Sequence, residues 1–193
     1  MLAYAFWHHP AAGVAAASYE EALRAFHRTL TGSAAFAFRD VPWFPAQSGY
    51  LDWYTVKDFA GLGELNDAAV TGARKEPHDQ VARMAGAGFG GLYRLVAGQT
   101  DLPRTTSGTW LSKPAGMKYT DLLEQASRLV HRSSLWQRQM TLGPGPEFCL
   151  LGSGGIEAPE AFSPVSIELR QVWPVGQDGI LRADGIGPPC VAM

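Results

Sequence analysis

The chain has 193 residues, of which 46% are hydrophobic and 18% charged, with a formal net charge of -2. That is enough apolar material for one large domain, or for two small ones packed together. Residues 1–98 hold 8 basic and 9 acidic side chains and residues 105–176 hold 6 of each, so no basic face offers a footprint for nucleic acid or an anionic membrane.

Leu2 to His9 is short and rich in aromatics, and it predicts a first strand ended by Pro10 and a loop of small residues. Its opening lacks an early basic residue and is interrupted by His8-His9-Pro10, which argues against a secretory leader. Ser18 stands where a helix N-cap is expected. Ala22, Leu23, Phe26 and Leu30 then recur at helical spacing up to the stop at Gly32. Ala34 to Asp40 predicts a second strand with Phe36 and Phe38 on one face, and Tyr50 to Val56 a third. Helices are expected over Phe59 to Val70 and Pro77 to Ala87. Gly86-x-Gly88-x-Gly90-Gly91 reads as a helix stop before a fourth strand, Leu92 to Ala97. A phosphate loop is excluded there, because such a loop follows a strand and opens a helix.

After a linker over residues 99–104, the order begins again. Thr105 to Ser112 predicts a strand, Tyr119 to His131 a helix, and Leu135 to Leu142, Glu147 to Leu151 and Val165 to Val175 three further strands. The second helix of this half shrinks to a turn around Pro159 to Phe162. Trp7, Pro10 and Tyr19 find counterparts in Trp110, Pro114 and Tyr119, an offset of about a hundred residues that implies a duplicated domain. The expected units are residues 1–98 and 105–175, followed by an extended arm over 176–193 through which the chain could form a homodimer. Cys149 and Cys190 fall in a strand and in a Gly/Pro-rich tail. That context argues against a disulfide and for the reducing cytoplasm.

Two tandem β-α-β-β-α-β units with aromatic-rich strands resemble the dimeric α+β barrel group of the ferredoxin-like folds. The expected fold class is therefore α+β, with two antiparallel sheets from one chain packed into a barrel. The resemblance implies a pocket for a small apolar or aromatic ligand. It also implies one of several activities, including those of small monooxygenases and of haem-binding or haem-degrading proteins, so haem is a candidate cofactor.

The candidate lining residues follow from the strands. Neighbours on a strand point to opposite faces, so only one of His8 and His9 can face a given pocket, as haem ligand or acid–base group. The other reading is a strand-end histidine bonded to loop backbone. No metal-ligand spacing accompanies the pair. Arg39 and Arg138, placed alike in the two halves, are candidates to hold a carboxylate, or else each pairs with a helix acid or with Asp52 or Glu147 on the neighbouring strand. Asp52, Trp53 and Tyr54 form the densest aromatic cluster, fit either for a pocket wall or for core. Two functional readings stay open: a pocket enzyme of monooxygenase-like or haem-dependent type, and a non-catalytic binding or assembly protein whose barrel is filled by its own aromatics.

Overall fold

The computed structural model describes residues 1–140 and 143–174. Nine strands form one antiparallel sheet: β1 (Leu2–Pro10), β2 (Ser33–Arg39), β3 (Ser48–Val56), β4 (Ala85–Gly98), β5 (Ser107–Leu111), β6 (Ser133–Gln139), β7 (Phe148–Gly152), β8 (Val165–Glu168) and β9 (Arg170–Trp173). Their order is β8-β5-β7-β6-β4-β1-β3-β2-β9. Within it, β4-β1-β3-β2 and β8-β5-β7-β6 repeat one arrangement. Ladder pairing between β4 and β6 joins the two.

Among the described residues no ladder closes the sheet into the expected barrel, although its edge strands β8 and β9 are separated in sequence by Leu169 alone. The expected single fourth strand of the second half is therefore two short strands on different partners. Val165–Glu168 pairs with β5, and Arg170–Trp173 pairs with β2. One face of the curled sheet holds the main core. It draws Trp7, Phe38, Trp53, Trp110, Trp136 and Cys149 from strands of both halves. Trp7 and Trp110, paired by the sequence offset, meet there edge to face at 5.2 Å. Each such side chain contributes about 1.5–3 kcal/mol on burial, so this face is the chief source of stability.

The helices cover the other face. They are α1 (Ala16–His27), α2 (Phe59–Ala69), α3 (Lys75–Met84) and α4 (Tyr119–Ser127). Helix α1 starts two residues before the expected cap: Ala15 is the N-cap, without a side-chain bond, and Ser18 lies inside the helix. Asp58 does cap α2, accepting from the Gly61 amide at 3.1 Å. Leu122 and Ala126 of α4 seat on Leu111, Leu135, Phe148 and Leu150, and Phe162 fills the remaining space, so the second half is packed solid on its helical side. Helices α2 and α3 bury no residue. They stand off the sheet and leave a space beneath, lined on their side by Leu62, Leu65, His78 and Val81.

Strand β4 begins at Ala85 rather than Leu92, and the glycine run lies inside it. No helix stop is needed, because these glycines pair with β1, Gly88 opposite His8 and Gly90 opposite Phe6. No helix among the described residues is long and apolar enough to cross a membrane. The expected arm and Cys190 lie outside the described residues.

Candidate active site

The space under α2 and α3 is a cavity of about 810 Å³. Its wall alternates along β1 as Tyr4, Phe6 and His8, continues on β3 as Asp52 and Tyr54, and is completed by Tyr19 and Phe26 of α1 and by residues of α2 and α3. Period-two alternation explains the selection. Tyr4 stands opposite Tyr54, Phe6 opposite Asp52 and His8 opposite Tyr50, so all six side chains rise from the same face.

Asp52 is the centre of the floor. It is 2% exposed and carries an imidazole against each oxygen: His8 Nε2 lies 3.2 Å from Oδ2 and His27 Nε2 lies 3.2 Å from Oδ1. The Tyr54 hydroxyl donates to Oδ2 at 2.7 Å, and the His27 ring stacks on Tyr54 at 5.2 Å and 3°. Burial alone would raise the Asp52 pKa, but the facing His8 and His27 imidazoles outweigh it and hold the carboxyl well below the usual range. Asp52 is therefore a carboxylate. Burial and the same carboxylate push the Tyr54 phenol up.

His8 has a second partner. Its Nδ1 lies 2.7 Å from the Tyr19 hydroxyl. Because the carboxylate can only accept, the proton-bearing nitrogen of a neutral His8 is Nε2, and Nδ1 is left to accept the Tyr19 O–H. Burial, Asp52 and Tyr50 all raise the Tyr19 pKa, which keeps that phenol protonated. The result is a directed arrangement, with the Tyr19 hydroxyl bonded to His8 Nδ1 and His8 Nε2 facing the Asp52 carboxylate at 3.2 Å. It has the logic of a reacting hydroxyl, a base and an orienting carboxylate.

A second polar cluster braces α1 next to this chain. Glu20 accepts from Tyr50 at 3.2 Å, from Arg24 at 2.9 Å and from Arg170 at 2.5 Å. Burial opposes its ionisation, but Arg170, Tyr50 and Arg24 prevail and lower its pKa. Burial and the neighbouring Glu20 carboxylate push Tyr50 up to about 12. The cluster ties β9 to α1 and so fixes Tyr19.

Of the residues singled out in the sequence, His8, Asp52 and Tyr54 meet in the cavity and the other five do not. His9 points the other way, its Nδ1 2.9 Å from the Pro10 carbonyl oxygen. Trp53 faces the main core, 5.2 Å from both Tyr93 and Trp136. Arg39 is exposed at the end of β2. Arg138 donates to the Gly145 carbonyl at 2.8 Å, at a crevice of only about 10 Å³ on the core face. Glu147 accepts from Tyr119 and Gln137. Strand parity separates His9, Trp53 and Arg138 from the cavity; Arg39 shares the parity of Asp52 but stands exposed at the end of β2, and Arg138 and Glu147 belong to the half that packed solid. Tyr19 and His27 are the residues that the strands could not reveal. Their signal was on α1, where Tyr19, Leu23, Phe26 and His27 share one face, and in the lone acid of β3, which needed donors.

No family model matches the sequence, and no curated protein matches it. Among solved structures, a presumed monooxygenase from Fusobacterium nucleatum superposes with a TM-score of 0.59 at 10% identity, covering 89% of this chain and 92% of that one. A presumed monooxygenase from Lactobacillus acidophilus gives 0.53 at 9% identity, covering 89% and 94%. The likeness is one of fold. It is an α+β fold, with a large antiparallel sheet carrying its helices.

Proposed function

We propose that this chain is a small-molecule enzyme of monooxygenase-like type, which removes a proton from an aromatic or ring-fused substrate held in the cavity. The observation that carries this reading is the buried Tyr19–His8–Asp52 chain at the floor of an aromatic-walled space. A substrate C–H or O–H set against Tyr19 Oη gives its proton to that oxygen as the Tyr19 proton passes to His8 Nδ1. The imidazolium so formed lies against Asp52, whose second oxygen faces His27 Nε2 at 3.2 Å. With dioxygen as oxidant, R₂CH₂ + O₂ yields R₂C=O + H₂O, a balance that needs no further reductant. The monooxygenase-like part of the reading is supported by the fold of the two neighbours.

Haem does not fit this cavity. Among the described residues no arginine or lysine lines it to pair with two propionates, and Asp52 contributes negative charge instead. His8 Nδ1 is bonded to Tyr19, and its Nε2 faces the Asp52 carboxylate at 3.2 Å rather than open space. His78, with Nδ1 3.3 Å from Asp79, is a further imidazole on the wall, and no cation accompanies it there.

The non-catalytic reading draws on the filled core face, where five of the six tryptophans are buried or packed against buried residues. That packing stands on the opposite side of the sheet from the cavity and leaves the pocket free. The chain is further read as two tandem ferredoxin-like units, residues 1–98 and 105–175. The repeated strand order supports this, as do left-handed residues that recur at matching places, Gly13 with Gly116 and Asp40 with Met140. Only the first unit keeps a site, since Leu111 follows Trp110 where His8 follows Trp7.

The test is solvent deuterium exchange at the activated carbon of 2-tetralone. The wild-type protein accelerates exchange, and His8→Gln and Tyr19→Phe each lower the acceleration by about 10²-fold or more. Equal acceleration in the two variants and the wild type, or none in any, refutes the proposal.

A further inference from the structure

The glycine run of β4 has so far explained only strand pairing. Its even members do more. On the cavity face, Gly90 lies opposite Phe6 and diagonal to Tyr4, and Gly88 lies opposite His8 and diagonal to Phe6. Diagonal neighbours across an antiparallel ladder are within reach of aromatic rings. The rings of β1 use that reach: a Cβ on Gly90 would lie 2.6 Å from Tyr4 Cε2 and closer still to Cζ and Oη, and a Cβ on Gly88 would lie 2.8 Å from Phe6 Cζ. Each ring therefore leans over the glycine one register along, in the space a side chain would take.

The lean runs one way because the other side is occupied. On β3, Tyr50, Asp52 and Tyr54 rise from the same face, and Tyr54 stacks beside Tyr4 at 6.3 Å and 22°. With β3 full and β4 bare, Tyr4 and Phe6 lie down over β4, themselves nearly parallel at 6.3 Å and 13°. Were Gly90 to carry even a methyl group, Tyr4 would have Tyr54 on one side and the methyl on the other. The direction left to its ring is upward, toward Leu65 and Ala69 of α2, through the cavity.

We infer that Gly90, with Gly88 behind it, sets the size of ligand the cavity admits. By letting Tyr4 and Phe6 lie across β4, these glycines open the site to a ligand larger than one fused ring pair, and a β-carbon at position 90 restricts it to smaller rings. This inference rests on the cavity being a ligand site and adds which residues determine its specificity. It also separates shape from chemistry at position 90, since Gly90 pairs with Phe6, while His8 lies one register along opposite Gly88 and Asp52 stands on β3.

The experiment compares two fluorescent ring probes, N-phenyl-1-naphthylamine and the smaller 1-naphthylamine, on the wild-type protein and on Gly90→Ala, Tyr4→Ala and the double variant. Gly90→Ala weakens the larger probe at least about tenfold and the smaller by less than about threefold. Adding Tyr4→Ala to Gly90→Ala restores the larger probe to the affinity of Tyr4→Ala alone. Equal losses for both probes, or none, overturn the inference while leaving the ligand site standing. Failure of the wild type to bind either probe overturns the ligand site, and the inference with it. If Gly90→Ala alone does not fold, the double variant decides: affinity for the larger probe equal to that of Tyr4→Ala upholds the inference, and a persistent loss overturns it.

Discussion

Replacing Asp52 by Asn removes the charge at the centre of the site while keeping its shape. The Tyr54 hydroxyl can still donate to the remaining oxygen, but of the two imidazoles at 3.2 Å one must now face an amide NH₂. Breaking a buried ion pair by removing one partner costs about 3–5 kcal/mol. At about 2–4 °C per kcal/mol for a chain of this size, the lower figure means a fall in Tm of about 6–12 °C. The pH dependence gives a sharper test. The folded Asp52 pKa lies below its unfolded value of about 3.9. Its contribution is therefore complete above that value and is lost as pH falls toward the lowered folded pKa. Urea unfolding of the wild type and Asp52→Asn should show the gap between them full at pH 7 and narrowing progressively from about pH 5 to pH 3. A gap below about 1 kcal/mol at pH 7, or one of constant size across that range, would refute the reasoning.

Tyr54→Phe removes one 2.7 Å hydrogen bond to a buried carboxylate and should cost about 1.5–3 kcal/mol by urea unfolding. Arg170→Met unties β9 from Glu20; with Arg170 58% exposed, the loss is expected at about 1 kcal/mol and should shrink further in 1 M salt. Cys149 is wholly buried and its thiol is pushed up by burial, so in the native protein it should react with a disulfide reagent only after unfolding.

The strands and helices of the first half were legible because their apolar periods were clean. Phe36 and Phe38 on one face of β2, and Leu23 and Phe26 on α1, stand where their spacing put them. The misreadings share one cause, which is that distant partners override local signals. Four glycines in six residues look like punctuation until Tyr4 and Phe6, eighty residues earlier, are laid over them. Val165 to Trp173 looks like one strand until its halves find β5 and β2. Asp52 and His8 were visible as candidates, but their union needed the register between β1 and β3. His27, counted as one more helix residue, joined them only through the packing of α1. Arg39 and Arg138 drew notice by their like placement along the chain, but Arg39 ends exposed on β2 and Arg138 turns to the Gly145 carbonyl on the core face.

The most direct test of the relay is the protonation of His8, read from imidazole ¹⁵N resonances in uniformly labelled protein at pH 7, with Tyr19→Phe and Asp52→Asn for assignment. The relay predicts a His8 proton on Nε2 toward Asp52, with Nδ1 shifted as an acceptor and that shift lost in Tyr19→Phe. A proton resident on Nδ1, with Tyr19 as its acceptor, would contradict the account, because His8 could then not take the Tyr19 proton.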